Sequence, residues 1–152
     1  MNIPPAATAD GLKITTVEDR DIAEVIALWQ RCGLTRPWND PTADIALARR
    51  GPNSTILIGR ADNHIVATVM VGHDGHRGWV YYVAVDPDIR KRGHGRVIMA
   101  AAEDWLRQAG IAKLQLLVRR ENAQANAFYQ SLGFEESTSV MFQKWLDGRS
   151  PT

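Results

Sequence analysis

The fold is decided by the stretch RKRGHG, residues 90–95, which places three cations and two glycines in six positions. A β-rich run, WVYYVAV at residues 79–85, precedes it, and a helical pattern begins at Gly93. A strand, a glycine-rich turn and a helix in this order present unpaired N–H groups and the positive end of the helix dipole to an anion. The pattern therefore predicts an anion site, with phosphate as the usual ligand.

Two familiar phosphate-binding motifs do not match this stretch. The P-loop requires Gly-Lys followed by Ser or Thr, whereas the chain has Gly95-Arg96-Val97. The dinucleotide-binding fingerprint requires a third small residue, and Ile98 stands at that position. The loop belongs to neither class.

Outward from the loop, strand-like and helix-like patterns alternate along the chain. Strands are predicted at residues 12–16, 54–60, 65–72, 79–85 and 113–118, followed by two strand-like runs that end at residue 145. Helices are predicted at residues 22–33, 42–50, 93–110 and 122–133. The resulting order, β-α-α-β-β-β-α-β-α-β-β, predicts an α/β fold of the α+β type with helices on both faces of one sheet.

Composition excludes several classes of protein. The 152 residues are 45% hydrophobic and 23% charged, which is typical of one globular domain. With 18 cations against 17 anions, no nucleic-acid partner is expected. A single cysteine, Cys32, excludes an intramolecular disulfide and a cysteine-rich zinc site, and no metal is predicted.

The ends of the chain carry no targeting or membrane signal. Residues 1–11 lack the apolar segment of a signal peptide and contain two prolines, so a flexible arm is predicted. No run approaches eighteen apolar residues, so no membrane association is expected. We predict one domain at residues 12–146, a tail at 147–152, and a cytoplasmic location.

Two motifs together carry a resemblance to a known superfamily. The first is Arg90-x-x-Gly93-x-Gly95, and the second is NAQANAFYQSLGF at residues 122–134, which fits N-x-x-A-x-x-x-Y-x-x-x-G-F. The chain resembles the GNAT superfamily of acyl-CoA-dependent N-acetyltransferases over residues 12–145. Within it, CGLTRPWNDP and GHDGHRG are similar to the bacterial YpeA-like acetyltransferases.

The resemblance implies a fold, a cofactor and a reaction. The fold would be the GNAT fold, with a mixed, mostly antiparallel central sheet. Acetyl-CoA would be the co-substrate, and its acetyl group would pass directly, in a ternary complex, to a primary amine of a small molecule or a protein. A covalent acetyl-enzyme is not expected, because no histidine is predicted to pair with Cys32.

The resemblance also assigns residues to the cofactor. The pantetheine arm would pair with backbone groups of Val83, Ala84 and Val85. The pyrophosphate would be held by the glycine loop, residues 90–96: Arg90, Lys91, Arg92, Gly93, His94, Gly95 and Arg96. Asn122 would contact the pantetheine arm, and Tyr129 would be the general acid that protonates the sulfur of CoA.

Each assignment has a structural alternative. Asn122 is equally a good helix N-cap, and Tyr129 lies on an apolar helix face where most tyrosines only pack. Without the glycines, the three successive cations of the loop would be a solvated turn.

The general base is the least determined residue. Positions at which some relatives carry glutamate hold Leu117 and Trp79 here. The nearest titratable cluster is HDGHRG at residues 73–78, and we predict that Asp74 or His76 accepts the amine proton, directly or through water. The alternative is a hairpin loop with Gly75 in its turn and solvated polar side chains.

Acceptor recognition is predicted in the segment RPWNDP. Trp38, Asn39 and Asp40 would bind the amine by stacking, hydrogen bonds and charge. Alternatively, the segment is a turn bounded by prolines in which Trp38 covers the edge of the core.

Two other functions agree with parts of the pattern. A non-catalytic acyl-CoA sensor fits the missing glutamate but not Tyr129. A GNAT-type toxin that acetylates aminoacyl-tRNA conflicts with the near-zero net charge. A homodimer is neither required nor excluded by the pattern.

Overall fold

The computed structural model describes residues 11–150. The chain forms two compact units, residues 1–117 and 118–152, and each is described by itself. Most of the arm predicted at residues 1–11 and the end of the predicted tail lie outside the described residues. The single domain predicted at residues 12–146 stays a prediction.

The first unit is built on a five-stranded sheet. Its strands are β1 (Lys13–Thr16), β2 (Ser54–Ala61), β3 (His64–His73), β4 (Gly78–Val85) and β5 (Leu114–Gln115). They lie in the order β1-β2-β3-β4-β5, and all neighbours are antiparallel except β4 and β5. The turn between β2 and β3 places Asp62 and Asn63 at φ of 49° and 65°. Positive φ at both positions is typical of a tight hairpin turn.

Helices cover both faces of this sheet, as predicted. Helices α1 (Ile22–Arg31) and α2 (Pro41–Arg49) lie on one face, where Leu28, Trp29 and Ile45 pack with Ile56 and Ile58 of β2. Helix α3 (His94–Gln108) packs on the other face. There the contact is close, because a Cβ added at Gly78 would lie 2.5 Å from Cδ1 of Leu106.

The second unit contains one helix, α4 (Ala123–Ser131). Gly133, at φ of 93°, ends it, and the N–H of Phe134 donates to the carbonyl of Tyr129 at 3.1 Å.

The two strands predicted after Gly133 are absent from residues 132–150 of the structure. In this segment the main-chain N–H groups of Ser139 and Arg149 donate to side chains two residues earlier in the chain. A strand instead requires main-chain hydrogen bonds to a neighbouring strand. The mixed, mostly antiparallel fold class is confirmed, and these last two strands are a correction to it.

Within residues 11–150, each helix is too short or too polar to cross a bilayer. The same residues bring together no group of three His, Cys, Asp or Glu side chains that could hold a metal ion.

Candidate active site

The glycine loop, residues 90–96, joins β4 to α3 in the conformation that an anion site needs. Gly93 is the N-cap of α3 at φ of 82°, and Lys91 is also left-handed at φ of 68°. No acidic residue lies in the first turn of α3. The loop therefore combines free helix N–H groups with exposed cations and fits a pyrophosphate.

The start of the loop is anchored to α1. The N–H of Asp88 donates to the carboxylate of Asp86 at 3.0 Å, which caps the short helical turn Pro87–Ile89. The other oxygen of Asp86 pairs with Arg31 at 3.2 Å. His94 differs from the other loop residues, because it is only 4% exposed and its Nδ1 has no hydrogen-bond partner within residues 11–150. Only the main chain of His94 is therefore suited to contact an anion.

The edge of β4 opens toward the loop. Strand β5 pairs with β4 only at Gly78 and Trp79. Further along, the N–H of Asp86 donates to the carbonyl of Val66 in β3. Because antiparallel pairing alternates, Val83 and Val85 direct their backbone groups to the opposite edge, where β5 has ended. An extended chain is thus able to add to β4 at these residues.

A bulge lies in the middle of β4. The register between β3 and β4 shifts between Thr68 and Met70, and Tyr82 adopts φ of 51°. The hydroxyl of Thr68 donates to the carbonyl of Tyr82 at 2.9 Å and accepts from Nε1 of Trp29 at 2.8 Å. The Trp29 and Tyr82 rings stack with centroids 3.8 Å apart and planes 9° from parallel. Backbone strain at Tyr82 is therefore held by contacts from both α1 and β3.

A cavity of about 480 Å³ lies beside the first half of β4. Residues that decide its chemistry are Asp44 of α2 and the rings of Trp79, Tyr81 and Tyr82. The hydroxyl of Tyr82 donates to Oδ2 of Asp44 at 2.7 Å. Burial, with help from the hydrogen bond and charge of Asp44, raises the pKa of the Tyr82 phenol. Tyr82 therefore stays a neutral hydrogen-bond donor to a carboxylate in this cavity.

The loop between β3 and β4 adopts the conformation expected of a hairpin turn. Gly75 has φ of 88°, and Oδ1 of Asp74 accepts from the N–H groups of His76 at 2.9 Å and Arg77 at 2.7 Å. Those two N–H groups lower the pKa of Asp74. Asp74 lines the cavity, whereas His76 is exposed and is not among its lining residues.

Of the three predicted acceptor residues, one lines the cavity and two do not. Asn39 lines the cavity. Asp40 is the N-cap of α2, and its carboxylate accepts from the N–H groups of Thr42 and Ala43 at 3.0 and 3.3 Å. Trp38 is 38% exposed and is not among the lining residues.

The predicted general acid, Tyr129, lies on α4, and Asn122, predicted to contact the pantetheine arm, is the N-cap of that helix. Oδ1 of Asn122 accepts from the N–H of Ala125 at 3.0 Å, so the N-cap alternative is realised. Tyr129 packs edge-on against Phe128 and Phe134, with centroids 5.0 and 5.8 Å away. Burial raises the pKa of its phenol.

Cys32 serves as a hydrogen-bond donor in the free protein. Its Sγ lies 3.2 Å from the carbonyl of Val85. Burial raises the pKa of the thiol more than the nearby charges of Arg90 and Arg31 lower it. A protonated thiol is a poor nucleophile.

Sequence reasoning missed Asp44, Thr68 and Tyr82. Asp44 lies on the polar side of a short helix, and no sequence signal marks it. Thr68 carries a weak sequence signal, because it is the single polar residue in an otherwise apolar run, IVATVMV. A buried hydroxyl needs partners, so such a residue is a candidate for an internal hydrogen bond.

A protein-family model and similar proteins indicate the same family for this chain. The model described as the acetyltransferase (GNAT) family matches residues 22–134. An acetyltransferase of Yersinia enterocolitica is 37% identical over 135 residues, which cover 89% of this chain and 96% of the relative. An acetyltransferase of Yersinia pseudotuberculosis has the same identity and coverage.

Solved structures agree. A ribosomal-protein-alanine N-acetyltransferase from Escherichia coli is 29% identical, with a TM-score of 0.73 over 91% of this chain and 87% of that one. An aminoglycoside N-acetyltransferase in complex with CoA has a TM-score of 0.77 over 95% of this chain and 99% of that one. At 19% identity, this second similarity speaks for the fold alone. The chain therefore belongs to the acetyltransferase (GNAT) family, and its acyl donor is acetyl-CoA.

Proposed function

We propose that this protein transfers the acetyl group of acetyl-CoA directly to a primary amine in a ternary complex. The observation that supports this most is the arrangement along β4. The cavity lies beside its first half, the bulge at Tyr82 follows, and the open edge at Val83 and Val85 leads into the glycine loop. Acceptor, thioester and pyrophosphate would thus be aligned along one strand.

The cofactor would extend along that strand. The pantetheine arm carries amides that pair with an open strand edge as an added strand does, here at Val83 and Val85, while Ala84 between them faces β3. Its pyrophosphate would lie on the N–H groups between Lys91 and Arg96, and the glycines let the backbone come close. Arg90, Lys91, Arg92 and Arg96 would add charge attraction that weakens with salt.

The reaction requires a neutral amine at the thioester carbon. The nitrogen forms a bond to that carbon, the C–S bond breaks, and the amine proton must leave while the thiolate gains one. A main-chain N–H near the bulge would stabilise the negative charge on the carbonyl oxygen. From its place in the family motif, Tyr129 would be the donor to sulfur, and burial raises the pKa of its phenol. Asn122 would contact the pantetheine arm through groups not used in its cap.

The candidates for the general base are Asp74 and His76 in the loop between β3 and β4. Asp74 has a lowered pKa and accepts two backbone hydrogen bonds, so its carboxylate is a weaker base than an ordinary one and is engaged in its own turn. We therefore propose that His76 takes the amine proton through water and that Asp74 fixes the turn. A neutral imidazole suits this task because one of its ring nitrogens is free to accept a proton.

For the acceptor we propose a primary amine that enters the cavity beside β4, with Asn39 in its lining and Trp38 and Asp40 in the adjoining segment. Whether the amine belongs to a small molecule or a protein is decided by the lining of this cavity.

Calorimetric titration with acetyl-CoA tests the cofactor site. Gly93→Asp should weaken binding at least about tenfold, because it adds a side chain and a negative charge where the pyrophosphate would lie. Gly110→Asp is the matched control, since Gly110 also has positive φ, 80°, but follows the other end of α3. Equal weakening in both variants would contradict the glycine-loop site.

Turnover is tested on the same preparation. Release of free thiol from acetyl-CoA should depend on an added amine and be lost in Gly93→Asp. Tight binding of acetyl-CoA without amine-dependent thiol release on a broad amine panel would overturn the transferase assignment.

A further inference from the structure

We propose that the cavity beside β4 selects a small acceptor that carries a second ammonium group, as a diamine or polyamine does, and that Asp44 binds that second charge. This inference rests on the proposed function, because it names the acceptor class of the same site. It adds a specificity-determining residue, Asp44, that the sequence patterns did not indicate.

The charges that line the cavity have one sign. Among the described residues that line it, Asp44 and Asp74 are acidic, His73 is the only other ionisable group besides the tyrosines, and none is Lys or Arg. A cavity with carboxylates and no fixed cation attracts cations and disfavours an acceptor that carries its own carboxylate.

Asp44 has a free position for a ligand. Its Oδ2 accepts from the Tyr82 hydroxyl, and within residues 11–150 its Oδ1 has no hydrogen-bond partner. The neutral phenol holds the carboxylate in place without neutralising its charge. An ammonium group is therefore able to bind Oδ1 while the geometry of the pair is kept.

Aromatic rings complete the site for a cation. Trp79 and Tyr81 line the same cavity, and the Tyr81 side chain is 49% exposed. Ring faces attract ammonium groups, and they also pack against the methylene chain between two amines. The lining thus matches a cation on an apolar stem.

The reacting nitrogen is not the group that Asp44 binds. A whole tyrosine side chain and a hydrogen bond separate the Asp44 carboxylate from the main chain of Tyr82, where the thioester is proposed to lie. A carboxylate paired with the reacting amine would also favour its charged, unreactive form. A second ammonium several atoms from the attacking nitrogen satisfies both conditions.

Three acceptors with the same carbon chain test this proposal: cadaverine, pentylamine and aminovalerate. They differ only in whether the far end is a cation, a methyl group or a carboxylate. The value of kcat/KM should be at least about tenfold higher for cadaverine than for pentylamine, and lowest for aminovalerate. Equal values for the three acceptors would overturn the proposal.

Asp44→Asn separates charge from shape, because the amide keeps an oxygen that the Tyr82 hydroxyl can donate to. This variant should lose the preference for cadaverine, so that the ratio of kcat/KM for cadaverine to kcat/KM for pentylamine falls from at least about ten to about one. Asp104→Asn is the control for net charge, since Asp104 lies in α3 and is absent from the cavity lining. A preference that survives in Asp44→Asn would contradict the assignment.

A binding measurement keeps this inference distinct from the proposed function. Cadaverine is titrated into protein saturated with CoA, at low and at high salt, and binding should weaken with salt and with Asp44→Asn. Absence of binding in a protein that binds acetyl-CoA and acetylates other amines, a peptide amino terminus among them, would overturn the diamine inference and leave the transferase assignment intact. Failure to bind acetyl-CoA would overturn the proposed function itself.

Discussion

The hydroxyl of Thr68 donates a 2.9 Å hydrogen bond to the main-chain carbonyl of Tyr82, the residue at which β4 adopts positive φ. The same hydroxyl accepts from Nε1 of the fully buried Trp29. One side chain thus satisfies a buried donor and holds a strained backbone position. Because the bulge lies between the cavity and the open edge of β4, its geometry bears on the reaction as well as on stability.

Thr68→Val should lower both stability and turnover. The substitution keeps the shape of the side chain but leaves the Trp29 N–H unpaired, which costs about 1–3 kcal/mol in free energy of unfolding. It also releases the Tyr82 carbonyl, so kcat should fall more than the affinity for acetyl-CoA. Denaturant unfolding and steady-state kinetics measure the two effects.

Thr68→Ser is the matched control, because it keeps the hydroxyl and removes only a methyl group. Serine should restore most of kcat even if some stability is lost to the missing methyl. If valine and serine variants had equal kcat, the hydroxyl would have no positioning role.

Gly78→Ala should destabilise the first unit. An added Cβ would lie 2.5 Å from Cδ1 of Leu106, so α3 or the leucine must shift, at a cost of about 1–3 kcal/mol. Gly51→Ala is the control, because nothing lies within 4 Å of a Cβ there. In a double-mutant cycle, Leu106→Ala should remove much of the penalty of Gly78→Ala. Strict additivity of the two substitutions would show that the contact is absent.

The Asp74 turn should contribute stability in a pH-dependent way. Its pKa is lowered from the usual 3.8 by the N–H groups of Arg77 and His76, so the ionised form is favoured in the folded state. That contribution is present above pH 3.8 and is lost as the pH falls through the lower folded pKa. Asp74→Ala should therefore be less stable than wild type at pH 7, and the difference should vanish at acid pH.

Urea unfolding at both pH values measures this difference. Asp74→Asn keeps one acceptor oxygen and should lie between wild type and Asp74→Ala at pH 7. A difference between wild type and Asp74→Ala that stayed constant from neutral to acid pH would contradict this account of the turn.

Several features could be predicted because they depend on local chemistry. The helix predicted from residue 93 begins at His94 with Gly93 as its N-cap, because the glycine-rich turn before it marks its start. The apolar periodicity of residues 22–29 placed α1 correctly, since a helix buries one face whatever its partner is.

Features that depend on distant residues could not be predicted. The alternation in WVYYVAV does not reveal that Tyr82 takes an extra position in the strand, because the bulge is set by pairing with β3. Nor does it reveal that the Tyr82 hydroxyl would reach Asp44, 38 residues away. The runs after Gly133 have strand-like composition, but composition does not supply a pairing partner. Asp74 was one of two candidate bases, and the sequence did not reveal that its Oδ1 accepts two main-chain hydrogen bonds within its own turn.

The short pairing between β4 and β5 has a practical consequence for handling the protein. A strand that continues past its neighbour is a template for strands of other molecules, and such edges promote aggregation. Preparations stripped of CoA and concentrated are therefore expected to associate and precipitate more readily than preparations that contain it. By occupying that edge, the ligand would act as a solubilising agent, which recommends its presence during purification and crystallisation.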